Sequence, residues 1–254
     1  FFTGCFRALE IAFLVDSSFS VSDEELHRMK DFMKEITNGF SISETGTRIS
    51  IATFDKYANV QLKFKDNFDA KKIFTKIDSL DKTRHGERRL DLGLEKVQSD
   101  VFSLKAGKRQ GVPGVLIILS GGPPSSSLNK LKELSTSLKR SVEIWTIGSR
   151  PVSSSQYLRD MASSVEQSHN SVFFENLSPL VTSVTQKLCS DKPGQCPRPV
   201  NSFCVSQKNL CSRDYECPGF SKCCYDGCRK ICLSPSWVCQ KPLDLAIVME
   251  SSRK

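Results

Sequence analysis

Cysteine stands at position 5 and not again until position 189, after which nine more follow by Cys239. No other feature restricts the fold so much. A block that dense in so short a stretch reads as a disulfide framework formed in an oxidising compartment. Zinc is the rival, but C-x-x-C pairs are absent and all three histidines lie far upstream. The long cysteine-free stretch before the block must instead bury an ordinary apolar core.

That stretch alternates two patterns. Leu9 to Val15 is apolar but for Glu10, as in a strand buried on both faces of a parallel sheet. Ser22 to Asn38 has Leu26, Met29, Phe32, Met33 and Ile36 at helical spacing, with Ser22 and Glu25 as a capping box and Gly39 as the stop. Arg48 to Phe54 and Asn59 to Phe64 read as neighbouring strands. Asp69 to Leu80 reads as a helix capped by Asp69, with Ile73, Phe74 and Ile77 inward. Leu90 to Leu104 reads as a further helix, and Val115 to Leu119 as a strand that breaks at Ser120-Gly121-Gly122-Pro123-Pro124. A helix at Leu128–Leu138, a strand at Val142–Ile147, a short helix at Gln156–Ser163, a strand at Ser171–Phe174 and a helix at Leu180–Leu188 complete the order. Strands alternating with helices predict an α/β fold with a doubly wound, mostly parallel sheet.

In such sheets ligands bind beyond the carboxyl ends of the strands. Asp16, Ser18 and Ser20 stand there, in the pattern D-x-S-x-S. This resembles the metal-ion-dependent adhesion site of von Willebrand factor type A domains, which occur in integrins, matrilins, collagen VI and von Willebrand factor. The resemblance extends from Cys5 to Cys189, whose cysteines it implies are bonded to each other. It also implies a threonine before the third helix and an aspartate after the fourth strand. Arg88 and Gly121 occupy those positions. Two of five ligands are therefore replaced, one of them by a cation. The expectation is no cofactor, with weak Mg²⁺ the only one the site would admit, and Arg88 or Arg89 pairing with Asp16 in its place.

From Cys196 the spacing is C-x7-C-x6-C-x5-C-x5-C-C-x3-C-x3-C, ending at Cys232. With Pro218-Gly219 and Lys222, this resembles a whey acidic protein four-disulfide core. The spacing alone leaves 105 pairings open. The resemblance implies Cys196–Cys224, Cys204–Cys228, Cys211–Cys223 and Cys217–Cys232. It also places a protease-inhibiting bond at Val205-Ser206, although this loop is shorter than that of elafin-like inhibitors and lacks their prolines. The tail CQKPLDLAIVMESS aligns without a gap on the head CFRALEIAFLVDSS. This reads as the start of a second A-type domain, with Cys239 unpaired and the chain a piece of a longer protein. The expected domains are 1–189 (A type), 190–195 (linker), 196–233 (four-disulfide core) and 239–254 (second A type).

The net charge of +8 gathers at Arg84–Arg89, Lys105–Arg109 and Lys139-Arg140. Such clusters suit acidic glycans, or are simply solvated surface. No nucleic-acid motif accompanies them, no apolar run reaches the roughly 18–20 residues of a membrane helix, and no catalytic motif is present. Asn176-Leu177-Ser178 matches a glycosylation sequon, which Pro179 disfavours. Together these features predict a secreted, non-catalytic matrix or adhesion module. Its expected partners are extracellular proteins such as collagens, acidic glycans, or a serine protease met at Val205.

Overall fold

The computed structural model describes Cys5 and residues 7–149, 156–190, 195–199, 208–211, 214, 217 and 221–236. The chain divides into two compact units, Phe1–Cys189 and Ser190–Lys254. Val205, Ser206, Cys204, Cys239 and the repeated tail lie outside the described residues.

The first unit is a six-stranded sheet in the order β3-β2-β1-β4-β5-β6. Its strands are β1 (Glu10–Asp16), β2 (Arg48–Phe54), β3 (Ala58–Leu62), β4 (Gly114–Ser120), β5 (Val142–Gly148) and β6 (Ser168–Asn170). All pairings are parallel except β2 with β3. The helices are α1 (Asp23–Asn38), α2 (Ala70–Asp78), α3 (Leu90–Asp100), α4 (Leu128–Leu138), α5 (Gln156–Met161) and α6 (Ser178–Ser190). Side chains alternate across a strand, so β1 supplies both cores. Ala12 and Leu14 join Leu90, Leu94 and Val97 of α3, Leu131 of α4 and Leu158 of α5. Ile11, Phe13 and Val15 turn to the opposite face and are equally buried.

Glu10 interrupts the apolar run of β1 yet is fully buried. Arg48 Nη2 and Arg109 Nε each donate to its Oε1 at 2.6 Å. Arg48 Nη2 also reaches the Gly107 carbonyl, and Arg109 Nη1 and Nη2 reach those of Glu44 and Gly46. A buried carboxylate survives only when paired and hydrogen-bonded in this way.

Ser22 and Glu25 form the capping box of α1. Gly39 ends that helix with right-handed backbone, at φ −72°. Glycine is needed there for space, because a Cβ would lie 2.8 Å from Thr185 Cγ2 of α6. Cys5 and Cys189 are disulfide-bonded, joining the segment before β1 to the end of α6.

Three sequence expectations shift. The edge strand is Ala58–Leu62, not Asn59–Phe64, because the chain turns at Lys63, whose N–H bonds Asp66. Helix α3 stops at Asp100, and Leu104–Ala106 form a separate 3-10 turn capped by Ser103. Ser171–Phe174 is not a strand. The last strand is Ser168–Asn170, and Phe173, Phe174 and Asn176 adopt left-handed backbone, with φ of 51°, 56° and 53°. That turn swings the Phe174 ring into the core and leaves Phe173 half exposed. The aromatic pair therefore serves a loop anchor, although its propensity reads as strand.

In the second unit, β7 (Lys222–Tyr225) and β8 (Lys230–Leu233) form an antiparallel hairpin. Disulfides join Cys196 to Cys224, Cys211 to Cys223 and Cys217 to Cys232. Cys228 is also disulfide-bonded. The sulfurs of Cys211, Cys217 and Cys223 crowd within 4.8 Å of one another, but each is already in a disulfide and cannot ligate metal as a thiolate. Asp214 receives Lys222 Nζ at 2.7 Å and the Cys223 N–H at 2.8 Å.

Candidate functional site

The sheet's strand order reverses between β1 and β4. The crevice beyond their carboxyl ends is where such folds bind ligands. Asp16 ends β1 there and is fully buried. Its Oδ1 accepts the Ser18 N–H at 3.0 Å. Its Oδ2 accepts Arg88 Nε at 2.8 Å and the Gly121 N–H at 2.9 Å. Ser18 Oγ lies 3.2 Å from Ser20 Oγ. Ser18 is buried, whereas Ser20 is exposed.

Arg88 comes from the turn before α3. Its backbone is fixed on both sides, since its N–H bonds Ser125 Oγ and its carbonyl accepts the Ser125 N–H. Its Nη2 is buried with no hydrogen-bond partner. An orphaned donor of this kind is destabilising by about 1–3 kcal/mol, so the ion pair with Asp16 and the fit into the neighbouring turn must offset it. Arg89 points elsewhere. It pairs with Asp91 at 2.8 Å, and Lys130 of α4 reaches the same carboxylate at 3.3 Å. Burial pushes the Asp91 carboxyl up, but hydrogen bonds from Arg89, Ser126 and Lys130 outweigh it and hold the group well below the usual carboxylate range.

The turn Ser120-Gly121-Gly122 is held by side chains far away in sequence. Ser149 Oγ donates to the Gly121 carbonyl at 3.0 Å, and Tyr157 Oη to the Gly122 carbonyl at 2.7 Å. Burial pushes the Tyr157 phenol up to about 12, with a hydrogen bond from Ser120 opposing. Neither residue was singled out by sequence. Their only signal is position, just after β5 and at the start of α5. Around the crevice, Phe19 and Tyr57 are exposed. Tyr57 meets His85 edge-on at 5.5 Å, and the Phe19 N–H bonds the His85 carbonyl.

The model of the von Willebrand factor type A domain matches residues 10–186. The chain belongs to that family. The WAP-type four-disulfide core matches residues 192–235, so an A-type domain is joined to a WAP domain. Chicken (Gallus gallus) Matrilin-3 is 24% identical over 184 residues, covering 71% of this chain and 39% of the relative. Human collagen alpha-5(VI) chain is 29% identical over 131 residues, covering 49% of this chain and 5% of the relative. This chain thus spans well under half the length of these relatives. Among solved structures, proximal thread matrix protein 1 of the mussel byssus, described with a zinc occupied MIDAS motif, superposes with a TM-score of 0.66 at 28% identity, covering 73% of this chain and 47% of that one.

A metal at the A-type domain's adhesion site would need oxygen donors and negative charge. Here both oxygens of Asp16 already accept N–H donors. Gly121 brings an N–H where the family pattern has a carboxylate. The Arg88 guanidinium already supplies positive charge to the Asp16 carboxylate. These residues do not fit a divalent ion. Asn176 lies exposed in the left-handed turn before α6, with Pro179 entering the helix.

Proposed function

We propose that this is a secreted, non-catalytic matrix module whose A-type domain binds extracellular proteins, collagens first, with acidic glycans strengthening the contact. The observation that carries the reading is the join of an A-type domain to a WAP domain, in a chain whose relatives are a matrilin and a collagen chain. The crevice fits such a role. Its charged groups are paired with one another and are not poised to react, while Phe19, Tyr57 and His85 offer a rim that a protein partner can cover. Lys56, whose Nζ lies 5.9 Å from the Tyr57 ring centroid, adds positive charge there.

The test is surface plasmon resonance of the full chain over immobilised fibrillar and type VI collagens and heparin. Saturable binding that weakens with salt supports the reading. Absence of binding to every matrix surface at micromolar chain refutes it.

A second reading, serine protease inhibition at Val205-Ser206, is supported by the WAP match at residues 192–235. It is tested by titrating elastase-like and trypsin-like enzymes with the full chain. Stoichiometric loss of activity, abolished by Val205→Glu, is the supporting result, and full activity at excess chain refutes it.

A further inference from the structure

Two departures from the family's metal-site pattern, Arg88 and Gly121, look independent along the chain and meet in space. Arg88 lays its guanidinium flat over Gly122, where a Cβ would lie 3.0 Å from Nη1, 3.1 Å from Cζ and 3.3 Å from Nη2. Any side chain at Gly122 would therefore press on the guanidinium. At Gly121, where the family pattern has its aspartate, a Cβ would fall 2.7 Å from Val21 Cγ2 and 3.3 Å from Asp16 Oδ2. Val21 is fully buried just beyond Ser20, so it fills the room an aspartate stem would need. With the side chain gone, the Gly121 N–H comes close enough to bond Asp16.

We infer that Arg88, Gly121, Gly122 and Val21 are one interlocked replacement for the metal ion, so that the A-type domain holds its Asp16 loop, and meets its partner, with no divalent cation. The guanidinium supplies the positive charge, the two glycines make room for it, and Val21 closes the space through which a ligating carboxylate would return. The inference deepens the matrix-binding reading and rests on it only where a partner is concerned.

The test uses the full chain. Calorimetric titration of the wild type with millimolar Mn²⁺ or Mg²⁺ is expected to give no saturable heat, and its melting temperature should be the same in EDTA. Arg88→Ala, which leaves the Asp16 carboxylate without its cation, should melt lower, with millimolar Mn²⁺ restoring part of the loss and leaving the wild type unmoved. The pair Arg88→Thr, Gly121→Asp rebuilds the pattern, but Val21 should still obstruct it. Adding Val21→Ala is expected to tighten Mn²⁺ binding at least about tenfold over the pair alone.

Saturable one-site Mn²⁺ binding by the wild type overturns the inference. So does a folded triple variant that binds no better than the pair. Should the triple variant fail to fold, as circular dichroism would show, the wild-type titration and the Arg88→Ala rescue decide the matter. Partner binding retained in EDTA supports the inference, and binding lost in EDTA and regained with Mn²⁺ overturns it. Silence of the wild-type titration together with no partner binding in either buffer refutes the matrix reading alone.

Discussion

Replacing Glu10 by glutamine tests how far one buried charge holds the foot of the sheet. The substitution preserves shape and removes the negative charge between Arg48 and Arg109. Two unit charges about 4 Å apart attract by roughly 4 kcal/mol at an effective dielectric constant near 20. Glu10 has two such partners, so about 8 kcal/mol of gross attraction is lost. Relief of the carboxylate's own desolvation returns several kcal/mol. The guanidiniums keep their carbonyl acceptors at Gly107, Glu44 and Gly46, which limits the damage further. The expected net loss is about 3–5 kcal/mol, as when one partner of a buried pair is removed. For a unit of this size that lowers the melting temperature by roughly 6–20 °C. Urea unfolding followed by far-ultraviolet circular dichroism reads it, since the helices of the first unit dominate that signal. A loss below about 1 kcal/mol would refute the reasoning. A companion cycle checks the mechanism: Glu10→Met with Arg48→Met should be less destabilising than the sum of the singles by 2 kcal/mol or so.

Changing both Cys5 and Cys189 to serine frees a loop with a sequence separation of 184. The chain-entropy relation puts the ceiling near 5 kcal/mol, and the expected loss in denaturant titration is about 2–5 kcal/mol. Tyr157 should titrate near pH 12, about two units above the ordinary phenol, when ultraviolet absorbance is followed through an alkaline series. Because its folded-state pKa is raised, the stability it contributes is full below pH ~10 and is lost as pH rises from there towards 12. Tyr157→Phe should flatten that alkaline slope and remove the late phase of the absorbance titration.

The fold was legible because its central strands β1, β2 and β4 are buried on both faces and its helices carry one apolar stripe, so composition changes along the chain. The crevice was only half legible. Asp16, Ser18 and Ser20 are adjacent in sequence and announce themselves as a pattern. Arg88 emerged only through the family pattern, and the choice between it and Arg89 depended on which guanidinium the turn before α3 directs inward. Ser149 and Tyr157 grip the Gly121-Gly122 turn from beyond the next strand, and no local spacing encodes a contact of that range. Val21 carries no sequence signal of its own, and its closeness to Gly121 appears only when the space there is measured. Phe173 and Phe174 misled because side-chain propensity says nothing of the sign of φ. Glu10 carried a signal that is plain in hindsight: a charge inside a buried run requires a partner, and Arg48 opens the adjacent strand.

The bond between Cys5 and Cys189 has a mechanical consequence. Their Cα atoms are 5.9 Å apart although the sequence separation is 184. A pull applied to the chain on either side would cross from one cysteine to the other through the sulfurs and leave the sheet unloaded. The intervening segment, which stretched out would reach some 600–660 Å at 3.3–3.6 Å per residue, stays folded as a pendant beside the line of tension. Under such a pull the fold between Cys5 and Cys189 would stay intact until a covalent bond broke.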